Sequence, residues 1–287
     1  MNVLVTGANG QLAKTIKTLF NNNTDNILFD FKTKDDLDIS SKFQVFSHFD
    51  KTKYNFCVNC AAYTKVDQAE NEPQAADLIN NEGTENLVQA CKKNNVCLIH
   101  ISTDYVFKGI SKTPYKETDS PSPVNQYGIS KLKGEKQVSS YLEKHYIIRT
   151  AWLYSSFSGN FLSFILDKIS KNQELNIVDS QKGTPTSCDE LSRFIYYFIK
   201  NNNIKYGTYH FSCLGETSWY GFAKEIASYF PKYSLNLLKP LDSFPSLAKR
   251  PNYSVFSLEK TKRIYPNLKT WKKALQEVLK QIDTLHL

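Results

Sequence analysis

Through the first 150 residues, short apolar runs alternate with longer amphipathic stretches. Val3-Leu4-Val5-Thr6 reads as a buried strand, followed by a glycine turn and a helical stretch to about Phe20. Ile27-Leu28-Phe29-Asp30, the run from Phe56 to Ala62, Cys97-Leu98-Ile99-His100-Ile101 and Tyr146-Ile147-Ile148-Arg149-Thr150 repeat the strand pattern. Continuous apolar runs of this length fit strands covered on both faces. Between them lie helical patterns, one carrying Phe43, Val45 and Phe46 and a long one from about Pro73 to Lys93. The order βαβαβαβαβ predicts an α/β fold with a Rossmann-type doubly wound parallel sheet over residues 1–150.

Beyond Trp152 the alternation breaks. The pattern predicts helices near 160–171, 188–200, 218–230 and 270–284, with short strands near 175–178 and 207–211. Ser187-x-x-Glu190 has the form of a capping box. Pro231, Pro240, Pro245 and Pro251 mark loops, and Asn runs at 21–23, 94–95 and 201–203 stand where helices should stop. Residues 151–287 are expected to build mainly a smaller, discontinuous substrate-binding lobe, with some segments returning to the Rossmann domain.

Composition changes little. Apolar content of 41% and charged content of 22% suit a globular protein of 287 residues. No apolar run approaches the ~20 residues of a membrane span, and the start of the chain lacks a secretory pattern. A cytoplasmic location and no membrane partner are the expectation. The net charge of +8 is spread over scattered lysines, which argues against nucleic-acid binding and fits a solvated surface or a small polyanionic ligand. Cys57-x-x-Cys60 lies in an apolar run with no second pair, so the six cysteines read as core thiols and no metal is expected.

The chemistry begins at Gly7-Ala8-Asn9-Gly10-Gln11-Leu12-Ala13. A glycine turn between strand and helix is the context of a dinucleotide fingerprint. Gly7 permits the tight turn, Gly10 lets backbone approach a pyrophosphate at the helix N-terminus, and Ala13 fills the third small position. Asp30 ends the second strand where a carboxylate can accept from a ribose 2′-hydroxyl, which favours NADH. Lys32 and Lys34 follow, and suit the 2′-phosphate of NADPH, so both cofactors stay open. Asp38-Ile39 suits the flank of an adenine ring or an ordinary helix-entry loop. Ala61 and Ala62 leave room for a cofactor at the end of the third strand.

Ligands in open α/β sheets bind beyond the carboxyl ends of the strands. That puts Thr103 and Asp104 where chemistry is expected, although a strand-end hydroxyl and a loop cap explain them equally simply. His100 reads as a satisfied core histidine. Tyr127 and Lys131 share one helix face at i, i+4, behind Asn125 as a candidate N-cap. An ammonium beside a phenol lowers the phenol pKa and makes it a usable acid or base. Alone, that spacing is equally consistent with a solvated helix face.

These residues resemble the extended short-chain dehydrogenase/reductases and, within them, the dTDP-4-dehydrorhamnose reductase family. The resemblance spans nearly the whole chain. Its specific blocks are Asn59-Cys60-Ala61-Ala62-Tyr63-Thr64-Lys65-Val66-Asp67, Ser102-Thr103-Asp104-Tyr105-Val106-Phe107, Arg149-Thr150-Ala151-Trp152-Leu153-Tyr154, Gly183-Thr184-Pro185-Thr186, Thr217-Ser218-Trp219-Tyr220-Gly221-Phe222-Ala223 and Arg250-Pro251-x-x-Ser254. It implies reduction of a 4-keto-6-deoxy sugar on a nucleoside diphosphate by NADPH or NADH, giving dTDP-L-rhamnose. By position it implies cofactor contacts from Gly10, Gln11, Leu12, Asp30, Asp38, Ile39, Ala62, Tyr63, Thr64 and Lys131. It implies sugar contacts from Thr103, Asp104, Tyr127 and Trp152, with Trp152 equally explicable as core. Some relatives use a first-helix glutamate for magnesium at a dimer contact; Thr15 stands there, so neither that metal nor that dimer carries over, and a homodimer as such stays open. Two alternatives remain: a related nucleotide-sugar 4-ketoreductase or epimerase making another 6-deoxy sugar, and a non-catalytic regulatory subunit of the same fold.

Overall fold

The computed structural model describes residues 1–22, 24–201 and 203–285, with side chains to 282. Its centre is a six-stranded parallel sheet. The strands are β1 (Asn2–Thr6), β2 (Leu28–Lys32), β3 (Phe56–Asn59), β4 (Cys97–Thr103) and β5 (His145–Thr150), joined at one edge by Gly207–His210. From one edge the order is β2-β1-β3-β4-β5 and then Gly207–His210. The chain winds outward in both directions from β1 and β3, so their carboxyl ends open a crevice at the switch point. Register is held by all-parallel pairs, among them Thr6 with Asn59 and Asn59 with His100.

Helices cover both faces, as buried parallel strands require. On one face lies α1 (Gln11–Phe20). On the other lie α2 (Lys42–Lys51), α5 (Gly83–Lys93) and α6 (Gln126–Tyr141). Two shorter helices, α3 (Val66–Asn71) and α4 (Pro73–Asp77), precede α5. The segment expected as one long helix from Pro73 to Lys93 is continuous but loosens into a π-helical stretch at Leu78–Glu82. Asn125 does cap α6, its side chain accepting from the Gly128 amide at 2.8 Å.

The C-terminal half is threaded through both lobes. Its helices are α7 (Phe161–Ser170), α8 (Cys188–Lys200), α9 (Trp219–Ser228), α10 (Glu259–Ile264) and α11 (Trp271–Leu285). Ser187 caps α8 by accepting from the Glu190 amide. Between them run β6 (Leu153–Tyr154), β7 (Leu175–Val178), β8 (Lys182–Gly183), β9 (Thr186–Ser187), β10 (Gly207–His210), β11 (Thr217–Ser218) and β12 (Leu238–Leu241). β10 is the sheet edge already met, and α8 packs beside α1. One core therefore joins Val3, Val5 and Ile16 to Leu191, Phe194 and Phe198. A second core, built from residues 154–279, contains Tyr154, Leu162, Phe222, Trp271 and Leu275 and belongs to the smaller lobe.

The two-residue strands and α10 escape sequence reading because so short a segment has no period to detect. Helices α1, α5 and α8 stop just ahead of the three Asn runs; Asn23 and Asn202 themselves lie outside the described residues. The six cysteines are free, five of them buried. Among the described residues no helix is long and apolar enough to cross a membrane.

Candidate active site

A cleft of about 900 Å³ opens at the carboxyl ends of β1, β3 and β4 and runs under the smaller lobe. That is large for a single small-molecule site. Gly7, Gly10, Gln11, Leu12, Asp38, Ile39, Ala62, Thr64, Thr103, Asp104, Tyr127 and Trp152 all line it. Three expected residues do not: Asp30, Tyr63 and Lys131.

The glycine turn is built for close backbone approach. Gly7 has φ +68°, and a Cβ there would meet Ala61 Cα at 2.7 Å. Only glycine takes that conformation without strain. Gly10 stands at the N-cap of α1 without a side-chain cap, and the first turn carries no acid. Its amides therefore face the cleft able to bind an anion. Asp38 is fixed by Ser40, whose amide and hydroxyl donate to its Oδ1 at 2.9 and 2.7 Å. The Gln11 side chain is occupied elsewhere. Its Nε2 donates to Leu153 O at 3.2 Å and its Oε1 accepts from Ser155 Oγ at 3.0 Å, tying α1 to the smaller lobe. A dinucleotide fits this wall through backbone rather than through side chains.

Across the cleft stand the hydroxyls. Thr103 ends β4; its Oγ1 donates to Asp104 Oδ1 at 3.1 Å and accepts from the Tyr105 amide at 3.2 Å. Tyr127 lines the same cleft, and the neighbouring Thr103 side chain favours its phenolate. α6 can bring it there because Gly128 crosses tightly over the main chain: a Cβ on Gly128 would meet Tyr105 O at 2.2 Å. The Tyr105 and Tyr127 rings meet edge to face, centroids 5.6 Å apart.

The expected pairing of Lys131 with that phenol is not formed. Lys131 is buried behind the cleft wall, and its Nζ donates to Ile101 O at 2.7 Å. A buried ammonium takes the nearest strong acceptor, here the backbone at the end of β4. Burial lowers its pKa to about 8, with Glu135 one turn on pulling the other way. Burial also pushes the Tyr127 phenol well above its ordinary value, eased only by the Thr103 hydrogen bond. Asp104 is raised to about 6 by burial, with Ser254 and Thr103 opposing.

Asp30 has partners of its own. It accepts from the Tyr54 hydroxyl and from Lys32 Nζ at 2.9 Å. Tyr63 holds Asn80 through its amide at 2.9 Å and Glu72 through its hydroxyl at 3.1 Å. His100 is only half satisfied: its Nδ1 meets Asn59 Nδ2 at 3.2 Å, while Nε2 has no hydrogen-bond partner.

Trp152 is not core. It lines the cleft with φ +48°, rare for a bulky residue, and stacks on Trp219 at 3.6 Å between centroids. Gly183 leaves room for the pair; a Cβ there would meet the Trp152 ring at 2.5 Å. Arg250 was given no role by sequence reasoning. It reaches the cleft from beyond β12, held by Asp67 at 2.7 Å and donating to the Tyr105 hydroxyl at 3.2 Å. Its signal was the Arg250-Pro251-x-x-Ser254 block, which delivers Arg250 to the cleft and Ser254 to Asp104.

Comparison with known proteins agrees along the whole length. The family model described as the RmlD substrate binding domain matches residues 1–284. The dTDP-4-dehydrorhamnose reductase of Aggregatibacter actinomycetemcomitans is 36% identical over 294 residues, covering 96% of this chain and 97% of that protein. A crystal structure of a dTDP-4-dehydrorhamnose reductase from Clostridium acetobutylicum superposes with a TM-score of 0.92 at 37% identity, covering 100% of both chains. That of the Bacillus anthracis reductase, in complex with NADP, gives a TM-score of 0.92 at 35% identity, covering 98% of this chain and 99% of that one. This chain belongs to the dTDP-4-dehydrorhamnose reductase family.

Proposed function

We propose that the chain reduces the 4-keto group of dTDP-4-dehydro-L-rhamnose to give dTDP-L-rhamnose, using NADPH or NADH. The observation that carries the reading is that Thr103 and Tyr127 line the same cleft as the uncapped, glycine-lined start of α1. One wall suits a pyrophosphate and the other offers protons, with room between for a sugar.

NADPH or NADH bound in this cleft would supply a hydride for carbon 4. The amides around Gly10, Gln11 and Leu12 would hold its pyrophosphate, and Asp38, Ile39, Ala62 and Thr64 would flank the rest of it. Tyr127 keeps its proton at neutral pH and yields it to the sugar oxygen as charge forms there. Thr103, on turning its one proton from Asp104 to the same oxygen, limits the charge that the phenol must meet. Lys131, behind them, fixes the end of β4 and contributes positive charge. Trp152 and Asp104 bear on the sugar, and Arg250 suits its diphosphate.

Mixing the purified protein with dTDP-4-dehydro-L-rhamnose and NADPH, and separately NADH, tests this: nucleotide oxidation should follow, with rhamnose identified by NMR of the product. A different 6-deoxy sugar would move the chain to a sister 4-ketoreductase, and no oxidation with either nucleotide would end the reading. Tyr127→Phe should lower kcat by roughly 10²–10⁴-fold, the worth of a general acid, while leaving cofactor affinity unchanged.

A further inference from the structure

We infer that Asn125 is a positioning residue for the substrate: one amide side chain caps the helix that carries Tyr127 and holds the backbone of the segment that carries Arg250. The inference rests on the reading above, which gives Arg250 the diphosphate of the sugar nucleotide.

An N-cap needs only an oxygen, and serine, threonine or aspartate supplies one much as asparagine does. Asparagine adds two donors on the same planar group. Both ends are used here. Asn125 Oδ1 accepts from the Gly128 amide at 2.8 Å, and Nδ2 donates to Lys249 O at 2.8 Å. The side chain can face only one way, since one neighbour only donates and the other only accepts. It is buried, so bulk water competes with neither bond.

Arg250 needs such a hold. Residues 242–250 form neither helix nor strand, and 242–247 are exposed, Phe244 and Leu247 among them. Bonded backbone resumes just past the arginine, where the Asn252 and Tyr253 amides donate to Gly109 O at 3.1 and 3.0 Å. Asp67 accepts from the Ala248 amide at 3.1 Å and from the Arg250 guanidinium at 2.7 Å, but its side chain is 43% exposed, and water weakens both contacts. The bond from Asn125 is the buried one. The Lys249 carbonyl it holds shares a rigid peptide plane with the Arg250 nitrogen, so fixing the first sets the direction of the second. Arg250 and Tyr127, brought from opposite ends of the sequence, thus keep one spacing through a single side chain.

Asn125→Ser keeps a capping oxygen and loses the donor. In steady-state kinetics of the full-length protein with NADPH and dTDP-4-dehydro-L-rhamnose, it should raise KM for the sugar nucleotide by roughly fivefold, the worth of one hydrogen bond, with kcat and NADPH affinity kept. Calorimetry should show the same loss for dTDP alone. In an Arg250→Ala background the serine substitution should cost dTDP no further affinity, because the group it positions is gone. Asn125→Thr, also a cap, repeats each measurement should the first variant prove unstable. A wild-type KM in these variants, a fall in kcat as large as the rise expected in KM, or the full penalty persisting without Arg250 would overturn the role of Asn125 while the reductase reading stands. A wild-type protein that binds neither dTDP nor the sugar nucleotide would overturn both.

Discussion

At the scale of single residues the site is a set of ionisable groups pushed from their ordinary values by burial. Lys131 is lowered to about 8 and the Tyr127 phenol is raised. The pair thus predicts which group limits activity in alkali. Below its pKa Lys131 is charged; above it the site loses that charge while Tyr127 still holds its proton. kcat/KM for ketone reduction should stay level up to about 8 and decline beyond it, and a profile flat to the phenol range would contradict the assignment. Asp104 argues in the other direction, about stability. Its carboxyl is held at about 6 against 3.8 in an open chain. The native state therefore keeps a proton that the unfolded chain has already shed, and stability falls as pH rises through that window. At neutral pH the ionised group costs roughly 3 kcal/mol. Asp104→Asn should be the more stable protein in denaturant at about pH 8, with the gap closing by about pH 4. A gap independent of pH would show that burial of this charge is not the cause. The shared place of Tyr127, Thr103, Asp104 and Trp152 on one cleft was legible because each sits in a local block at a strand or helix end. The hydrogen bond from Tyr54 to Asp30 was not, since its phenol comes from a position 24 residues away, and no local pattern announces that contact.

At the scale of elements, α6 decides where Tyr127 stands, and two devices fix it. The first is a buried ion pair: Arg149 on β5 meets Glu135 through Nε at 2.9 Å and NH2 at 2.7 Å, and Ser102 Oγ donates to the same carboxylate. Losing one partner of such a pair strands a charge. The second is close approach. Gly134 lets α6 lie against the π-helical stretch at Leu78–Glu82, where an added Cβ would meet Asn80 O at 2.2 Å. That neighbour is backbone and cannot swing aside. Gly134→Ala should therefore cost about 1–3 kcal/mol by overpacking, despite alanine's better helix propensity, and should lower kcat as α6 shifts. Unfolding in denaturant and turnover on one preparation check both, and an alanine variant as stable as wild type would mean that the helices part without strain. The sequence announced α6 through its cap and its Tyr-x-x-x-Lys spacing. It gave no sign of the π-helical stretch, because a single loosened turn inside a helical run has no period of its own to detect.

At the scale of the whole molecule, the two lobes share one chain path, and that sharing governs what folds alone. The apolar alternation up to Thr150 reads as a nucleotide-binding domain to which some later segments return, and the sheet takes its last strand from Gly207–His210. One face is completed by α8, whose Leu191, Phe194 and Phe198 lie in the same core as Val3, Val5 and Ile16. Cutting after residue 150 would expose those apolar groups and open β5 as an unpaired edge, with Tyr146 and Ile148 stripped of their cover. Residues 1–150 expressed alone should therefore bind a hydrophobic dye, melt without a cooperative transition and tend to aggregate. The full chain should unfold with its glycine turn and α8 protected together in hydrogen exchange. A soluble 1–150 fragment with a sharp thermal transition would show that α1 and the sheet suffice without their C-terminal cover. The discontinuity also serves the chemistry. Gln11 on α1 is bonded to Leu153 and Ser155, and Trp152 is stacked on Trp219, so the glycine-turn wall and the smaller lobe are fixed to one another directly. A reductase must hold hydride donor and ketone at a set distance, and a chain that weaves twice between its lobes fixes that distance with packed structure rather than with a linker.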